Sequence, residues 1–285
     1  MRILILGGDG MLGHRIFRHL RPRHDVGVTL RQDLVAYRDY GLFDGHSAYA
    51  GIDVRQFDRL VEVVADFAPD AIVNCVGIVK QRSEAKDYLA SLEINALLPH
   101  RLALVARTAK VRLVHISTDC VFSGRRGNYR EDDPADPDDL YGRSKLLGEI
   151  SAPHCVTLRT SMIGPELARK SGLLEWFLSR RGNTVKGFTH AIYSGFTTAE
   201  MSRIIERILV SEPAVEGLYQ VSSAPISKYD LLCKINAALG LGVRIIPDAA
   251  FKCDRSLDSR RFREALGYTP PSWDEMVAEL ARELA

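Results

Sequence analysis

The chain has 285 residues, 46% of them hydrophobic, with 38 basic and 36 acidic side chains and a net charge of +2. That is too apolar for disorder and long enough for one large α/β domain, or for a nucleotide-binding domain with a smaller lobe. The near balance of charge, with no long basic run and no interleaving of basic and aromatic residues, makes nucleic acid an unfavoured partner.

Ile3 to Leu6 is a short continuous apolar run, the pattern of a strand buried on both faces. Gly7, Gly10 and Gly13 follow at G-x-x-G-x-x-G spacing, and Arg15 to Leu20 continues as a helix. Glycines at this spacing also make ordinary turns. Placed between a buried strand and a helix, they let a backbone approach a pyrophosphate, and the helix start supplies N–H donors and a positive dipole. Arg21, Arg23 and His24 read as a solvated helix end. The second strand, Val26 to Leu30, ends at Arg31, where an acidic residue would accept from ribose hydroxyls. Arg31 is suited to clamp a 2′-phosphate or stack on adenine, which favours NADPH over NADH; a solvent-facing loop arginine is the competing reading.

Ala50 to Val54 is expected to end a third strand, with Asp53 accepting from an adenine amino group or capping the helix Phe57 to Phe67. Ala71 to Gly77 is the fourth strand, Leu89 to Ala109 a long helix carrying Asn95, and Arg112 to Ser117 the fifth strand. Strands alternating with helices imply a doubly wound parallel sheet, a Rossmann architecture whose ligands meet at the carboxyl ends of the strands. Gly10, Asp53, Gly77 and Thr118 all lie there.

The stretch Val114 to Lys145 carries the chemistry. The fifth strand runs into Ser117-Thr118-Asp119-Cys120, an acidic proline-bearing loop spans Glu131 to Asp139, and Tyr141 and Lys145 follow. On a helix, residues i and i+4 share a face, so the Lys145 ammonium is expected beside the Tyr141 phenol. Bringing a phenol from about 10 to neutrality takes roughly 3 units, or about 4 kcal/mol, which a cation in a partly dry cleft can supply. Thr118 is placed to bind the same substrate oxygen. The bland alternatives are a chance Tyr-x-x-x-Lys and a Ser-Thr-Asp that caps a turn. The acidic loop lacks the spacing and glycine of a calcium loop and reads as solvated, so no metal is expected.

His154 to Ile163 reads as the sixth strand, broken by Gly164-Pro165. Then come a helix over Gly172 to Arg180 with Trp176, a helix over Thr198 to Val210, a strand at Gly217 to Val221 and a helix over Tyr229 to Leu239. Arg244 to Pro247 is short and extended, and Trp273 to Leu284 is a closing helix. The lobe division falls near residue 165: residues 1–165 form the nucleotide-binding domain and 166–285 mainly a substrate-binding lobe, with about 190–222 returning to the first domain. Five cysteines without C-x-x-C spacing imply reduced, mostly buried thiols. Met1 leads straight into an apolar run, leaving no room for a signal peptide, and no apolar segment approaches the ~20 residues that cross a bilayer. A soluble, cytoplasmic protein with no membrane partner is expected.

The glycine motif with Thr118, Tyr141 and Lys145 resembles the extended short-chain dehydrogenase/reductases, nearly end to end. Ser117 to Gly124, Leu158 to Ser161, Ile226 to Tyr229, Ser256 to Asp258 and Pro271 to Trp273 look most like the dTDP-4-dehydrorhamnose reductase family. The resemblance implies catalysis by Thr118, Tyr141 and Lys145. It implies a cofactor held by Gly7, Gly10, Met11, Leu12 and Gly13, by Arg31, Asp53 and Val54, and by Cys75, Val76 and Gly77, with Asn95 supporting the lysine, commonly through water. Asp119, Trp176 and Arg255 are candidates for the nucleotide-diphosphate sugar, Trp176 on the base and Arg255 on the diphosphate, with a core tryptophan the competing role for Trp176. Cys120 stands where related dehydratases carry an acid-base glutamate, which argues against dehydration. The implied activity is reduction of a 4-keto group by NADPH, with NADH as the second choice, in a chain that pairs as a homodimer. The rival readings are a sugar-nucleotide epimerase with bound NAD and a non-catalytic subunit like the reductase-like partner of methionine adenosyltransferase.

Overall fold

The apolar runs form the strands of one parallel sheet, and the amphipathic segments cover its two faces. The computed structural model describes residues 1–79, 87–212 and 214–284. In chain order the first half comprises β1 (Arg2–Leu6), α1 (Gly13–Leu20), β2 (Asp25–Thr29), β3 (Ala48–Tyr49), α2 (Phe57–Phe67), β4 (Ala71–Asn74), α3 (Tyr88–Ser91), a π-helical turn (Leu92–Leu97), α4 (Leu98–Ala109), β5 (Arg112–Ile116), α5 (Leu140–Leu147) and β6 (Cys155–Arg159). The second half adds β7 (Met162–Ile163), α6 (Leu173–Leu178), β8 (Thr184–Tyr193), β9 (Phe196–Thr197), α7 (Thr198–Val210), β10 (Gly217–Gln220), β11 (Ile226–Ser227), α8 (Lys228–Leu239), β12 (Arg244–Asp254), α9 (Arg260–Leu266) and α10 (Trp273–Leu284).

Seven strands pair in parallel in the order β10-β6-β5-β4-β1-β2-β3. The continuous apolar run of β1 is explained by burial on both faces. Ile3 and Ile5 face one core with Phe17 of α1 and Ile204 and Ile208 of α7. Leu4 and Leu6 face a second core with Leu60 of α2 and Leu102 of α4. After β1 the chain steps outward through β2 and β3, then crosses back to β4 on the other side. That reversal opens a crevice at the carboxyl ends of β1 and β4. Late in the chain, α7 packs on α1 and β10 pairs with β6. A smaller three-stranded sheet, β11-β8-β12, carries the remainder with α8 against it.

Four differences from expectation have physical reasons. The third strand is only Ala48–Tyr49; Ala50 to Val54 runs on as a loop, tied by the Ile52 N–H to the Leu30 carbonyl at 2.9 Å. The sixth strand splits, because Met162–Ile163 leaves the main sheet to pair with Phe196–Thr197. β12 extends past Pro247 to Asp254, since it is the outer strand of its sheet and a proline is tolerated on an edge. The long helix runs from Tyr88 to Ala109, 22 residues, long and apolar enough by length and composition to cross a membrane, contrary to the expectation that no such segment exists. Its apolar stripe, Leu98, Leu102 and Ala106, is buried against the sheet.

The π turn in that helix is where α5 crosses it. A Cβ on Gly148 would overlap the Asn95 carbonyl oxygen, so this crossing has no room for a side chain. Gly148→Ala is predicted to destabilise the fold by about 1–3 kcal/mol, read from the urea midpoint. Gly45→Ala, where a Cβ meets nothing within 4 Å, serves as the neutral comparison.

Candidate active site

The glycine loop between β1 and α1 forms a cradle. Gly7 adopts a left-handed φ of +82°, and its N–H donates to Thr29 Oγ1 at 3.1 Å. A Cβ on Gly13 would overlap the Gly7 carbonyl oxygen, so the helix starts directly beneath the loop. No side chain caps α1, which leaves its first N–H groups and positive dipole facing the crevice. Gly7 and Gly10, Asp53 and Val54, and Cys75, Val76 and Gly77 after β4 line one cleft. Met11, Leu12 and Gly13 form the turn into α1. An uncapped helix start under a glycine-rich loop is the donor set a diphosphate needs, so the cleft fits a dinucleotide, with the Asp9 carboxylate as a charge in the loop that opposes it.

Arg31 also lines this cleft, exposed at its edge. Asp53 is committed to Arg55: the guanidinium Nε donates to both carboxylate oxygens at 3.0 Å and Nη2 donates to Oδ2 at 2.5 Å. Arg55 thereby holds the Asp53 carboxyl below its usual range. Asp53 does not cap α2, whose N-cap is Gln56. Arg55 was not anticipated from the sequence, and it adds a second guanidinium to the cleft lining beside Arg31.

Thr118, at the end of β5, does two things. Its Oγ accepts from the Cys120 N–H at 3.1 Å, capping the turn Asp119–Val121, and its hydroxyl donates to Asp119 Oδ1 at 3.3 Å. The cap reading of this residue is therefore correct, and Thr118 is also among the groups that act on the Tyr141 phenol. Asp139 caps α5 by accepting from the Gly142 N–H at 2.8 Å, which sets Tyr141 in the first helical turn. Gly142 lies so close to the Cys120 carbonyl that a Cβ would overlap it. That contact presses the start of α5 onto the Thr118 turn.

Lys145 is buried and donates through Nζ to the Ile116 carbonyl at 2.6 Å. Burial lowers its ammonium to about 8, opposed by the nearby Glu149 and Cys75. The expected lysine-acidified phenol is not what the structure holds. Burial pushes Tyr141 above its ordinary value, with Cys120, Asp119 and Asp139 adding to the shift and Thr118 opposing it. Tyr141 is thus kept as a phenol O–H, the form a proton donor requires.

Asn95 is buried at the crossing of the long helix with α5. Its amide is spent on the Ile78 N–H (2.9 Å), the Ile78 carbonyl (3.0 Å) and Ser144 Oγ (3.1 Å). Ser144 Oγ in turn donates to the Tyr141 carbonyl at 3.0 Å, so Asn95 positions α5. Burial raises the Asp119 carboxyl, opposed first by Arg255 and more weakly by Lys228. Arg255 reaches this turn from the end of β12, donating to the Phe122 carbonyl at 2.8 Å with Nη1 3.7 Å from Cys120 Sγ. Trp176 is half-buried on α6, its ring 6.3 Å from Phe177 and beneath Arg180. The acidic loop spends Asp133 on Arg126, and Asp136 and Asp138 on Arg125.

Like Arg55, Glu149 lay outside the sequence reading. Glu149, one turn beyond Lys145, accepts from Ser117 Oγ and from Arg159 Nε and Nη2, each at 2.8 Å. Its i+4 spacing from Lys145 was the available signal. Glu149→Gln removes an anion that supports the Lys145 ammonium, and is predicted to lower its titration midpoint further below about 8. An NMR titration of labelled lysine checks this; an unmoved midpoint contradicts it.

Comparison with known proteins adds three likenesses. The chain is 24% identical over 303 residues to dTDP-4-dehydrorhamnose reductase of Aggregatibacter actinomycetemcomitans, covering 98% of each. It is 24% identical over 254 residues to methionine adenosyltransferase 2 subunit beta of Bos taurus, covering 84% of this chain and 72% of that one. Its fold matches the crystal structure of a Bacillus anthracis dTDP-4-dehydrorhamnose reductase in complex with NADP, with a TM-score of 0.80, 22% identity and coverage of 100% and 99%. The sequence model of the RmlD substrate binding domain matches residues 1–285, and the chain belongs to that family.

Proposed function

We propose that the protein is an NAD(P)H-dependent oxidoreductase that reduces the 4-keto group of a nucleotide-diphosphate-linked 6-deoxysugar, in the making of deoxysugar or polysaccharide precursors. The carrying observation is Tyr141, kept as a phenol by its surroundings and set beside the Thr118 turn, next to a glycine cradle that fits a dinucleotide. NADPH is the preferred cofactor, NADH the second choice; when bound, the reduced nicotinamide supplies the hydride. Tyr141 gives its phenol proton to the oxygen that becomes the alcohol. Thr118 donates to the same oxygen as negative charge gathers on it. Lys145, held on the Ile116 carbonyl, places a cation under that centre and favours the phenolate left after transfer.

Substrate recognition falls to the lobe of residues 166–285, with Asp119 and Arg255 at its junction with the catalytic turn. Cys120, half-buried and with its thiol pushed up to about 12, is a poor acid-base group, which supports reduction over dehydration. A regulatory role like that of the adenosyltransferase subunit would not need Thr118, Tyr141 and Lys145 in contact with one another's supports. Cytoplasmic location and homodimer formation belong to the same proposal, the latter supported by exposed Leu97, Leu104 and Leu147 on adjoining helices.

Two variants test the reading. Tyr141→Phe is predicted to cut turnover of NADPH with a nucleotide-linked 4-ketosugar by roughly 10³-fold while leaving cofactor affinity within about twofold. Substantial residual turnover would remove Tyr141 from the donor role. Arg31→Asp is predicted to weaken NADPH by about tenfold or more and to spare NADH, because the new carboxylate repels a 2′-phosphate. Equal losses for both cofactors would overturn the NADPH preference.

A further inference from the structure

The glycine cradle contains a charge that does not suit it. Asp9, between Gly8 and Gly10, places a carboxylate in a loop whose backbone N–H groups and helix dipole otherwise favour an anion. Two groups answer it. Tyr37 donates its hydroxyl to Asp9 Oδ2 at 3.1 Å, and Arg169 Nη2 stands 3.4 Å from the same oxygen. Arg169 comes from the opposite side of the cleft, on the segment between β7 and α6. That segment has a built shape: the Glu166 carboxylate accepts the Ser171 N–H at 3.2 Å and the Gly172 N–H at 2.6 Å, and Glu175 accepts the Glu166 N–H at 3.0 Å. Arg169 is thus held over the cleft and lines it together with Gly7, Gly10 and Gly77.

We propose that Arg169 is a diphosphate ligand delivered across the cleft by the β7–α6 segment, and that Asp9 competes for it as a latch. This rests on the dinucleotide reading above. The guanidinium presents a fork of donors, and its 39% exposed side chain has room to turn from a carboxylate to a phosphate. A bound diphosphate would draw Arg169 away from Asp9, while Tyr37 retains the Asp9 carboxylate. The same segment leads directly into α6 and Trp176, so cofactor binding would fix the edge of the lobe proposed to hold the sugar.

The two partners then have opposite effects on affinity, which a structural brace would not produce. Binding of NADPH and NADH to the full chain, without sugar, is read by fluorescence titration. Arg169→Gln is expected to raise the NADPH Kd about tenfold, as loss of a charge-assisted hydrogen bond does, with Arg169→Lys in between. Asp9→Asn keeps an acceptor for Tyr37, frees Arg169 and removes a repelling charge, so it is expected to lower the Kd about threefold. Affinity for 2′-AMP, which lacks the diphosphate, is expected to be unchanged in Arg169→Gln. Weakening by both Arg169→Gln and Asp9→Asn would make the pair a brace and overturn the proposal. So would an Arg169→Gln variant that binds NADPH normally, or one that loses 2′-AMP equally. No binding of either cofactor to the unaltered protein would overturn the dinucleotide reading itself, and this inference with it.

Discussion

Two glycines six positions apart hold the site together. Gly142 lets the first turn of α5 lie on the Cys120 carbonyl, and Gly148 lets its end lie on the Asn95 carbonyl, neither contact leaving room for a Cβ. With both ends of the helix pressed in, Tyr141 is set beside the Thr118 turn and the Lys145 ammonium passes beneath the strand end to the Ile116 carbonyl. The hydrogen bonds to Asn95, Ser144 and Asp139 fix what these contacts bring close. Side-chain chemistry here depends on backbone approach.

Burial then sets the ionisation of the site. The low-dielectric surroundings that lower Lys145 also raise Tyr141 and Asp119, each toward its neutral form. For a reduction that direction is useful, because the donor must carry its proton until the alkoxide forms. The cation at Lys145 is kept by Glu149, itself anchored to Ser117 and Arg159, so the ion pair behind the strand end and the proton donor in front of it belong to one electrostatic arrangement.

Much of this was legible in the sequence because it is local. The apolar run of β1, the glycines after it, the hydroxyl pair ending β5 and the four-residue step from Tyr141 to Lys145 each declare themselves within a few residues. What depends on distant chain segments was not legible. The Asn95 amide bonds Ile78 and Ser144 across a π turn that periodicity does not reveal. Arg169 meets Asp9 across 160 positions of sequence. β8 escaped notice because Gly187 interrupts the apolar alternation on its buried face. The phenol's shift was expected with the wrong sign, because spacing reports the nearby cation and says nothing of the burial that outweighs it.

The central claim is net hydride transfer to the carbonyl carbon at C4 of a nucleotide-linked sugar. Its most direct test is turnover with NADPH carrying deuterium at the transferable position of the nicotinamide, followed by mass and NMR analysis of the sugar. The account predicts one deuterium at C4 of the product for each cofactor oxidised. A sugar that changes configuration without taking up deuterium, while the added cofactor stays reduced, would contradict it and point to an epimerase recycling its own bound cofactor.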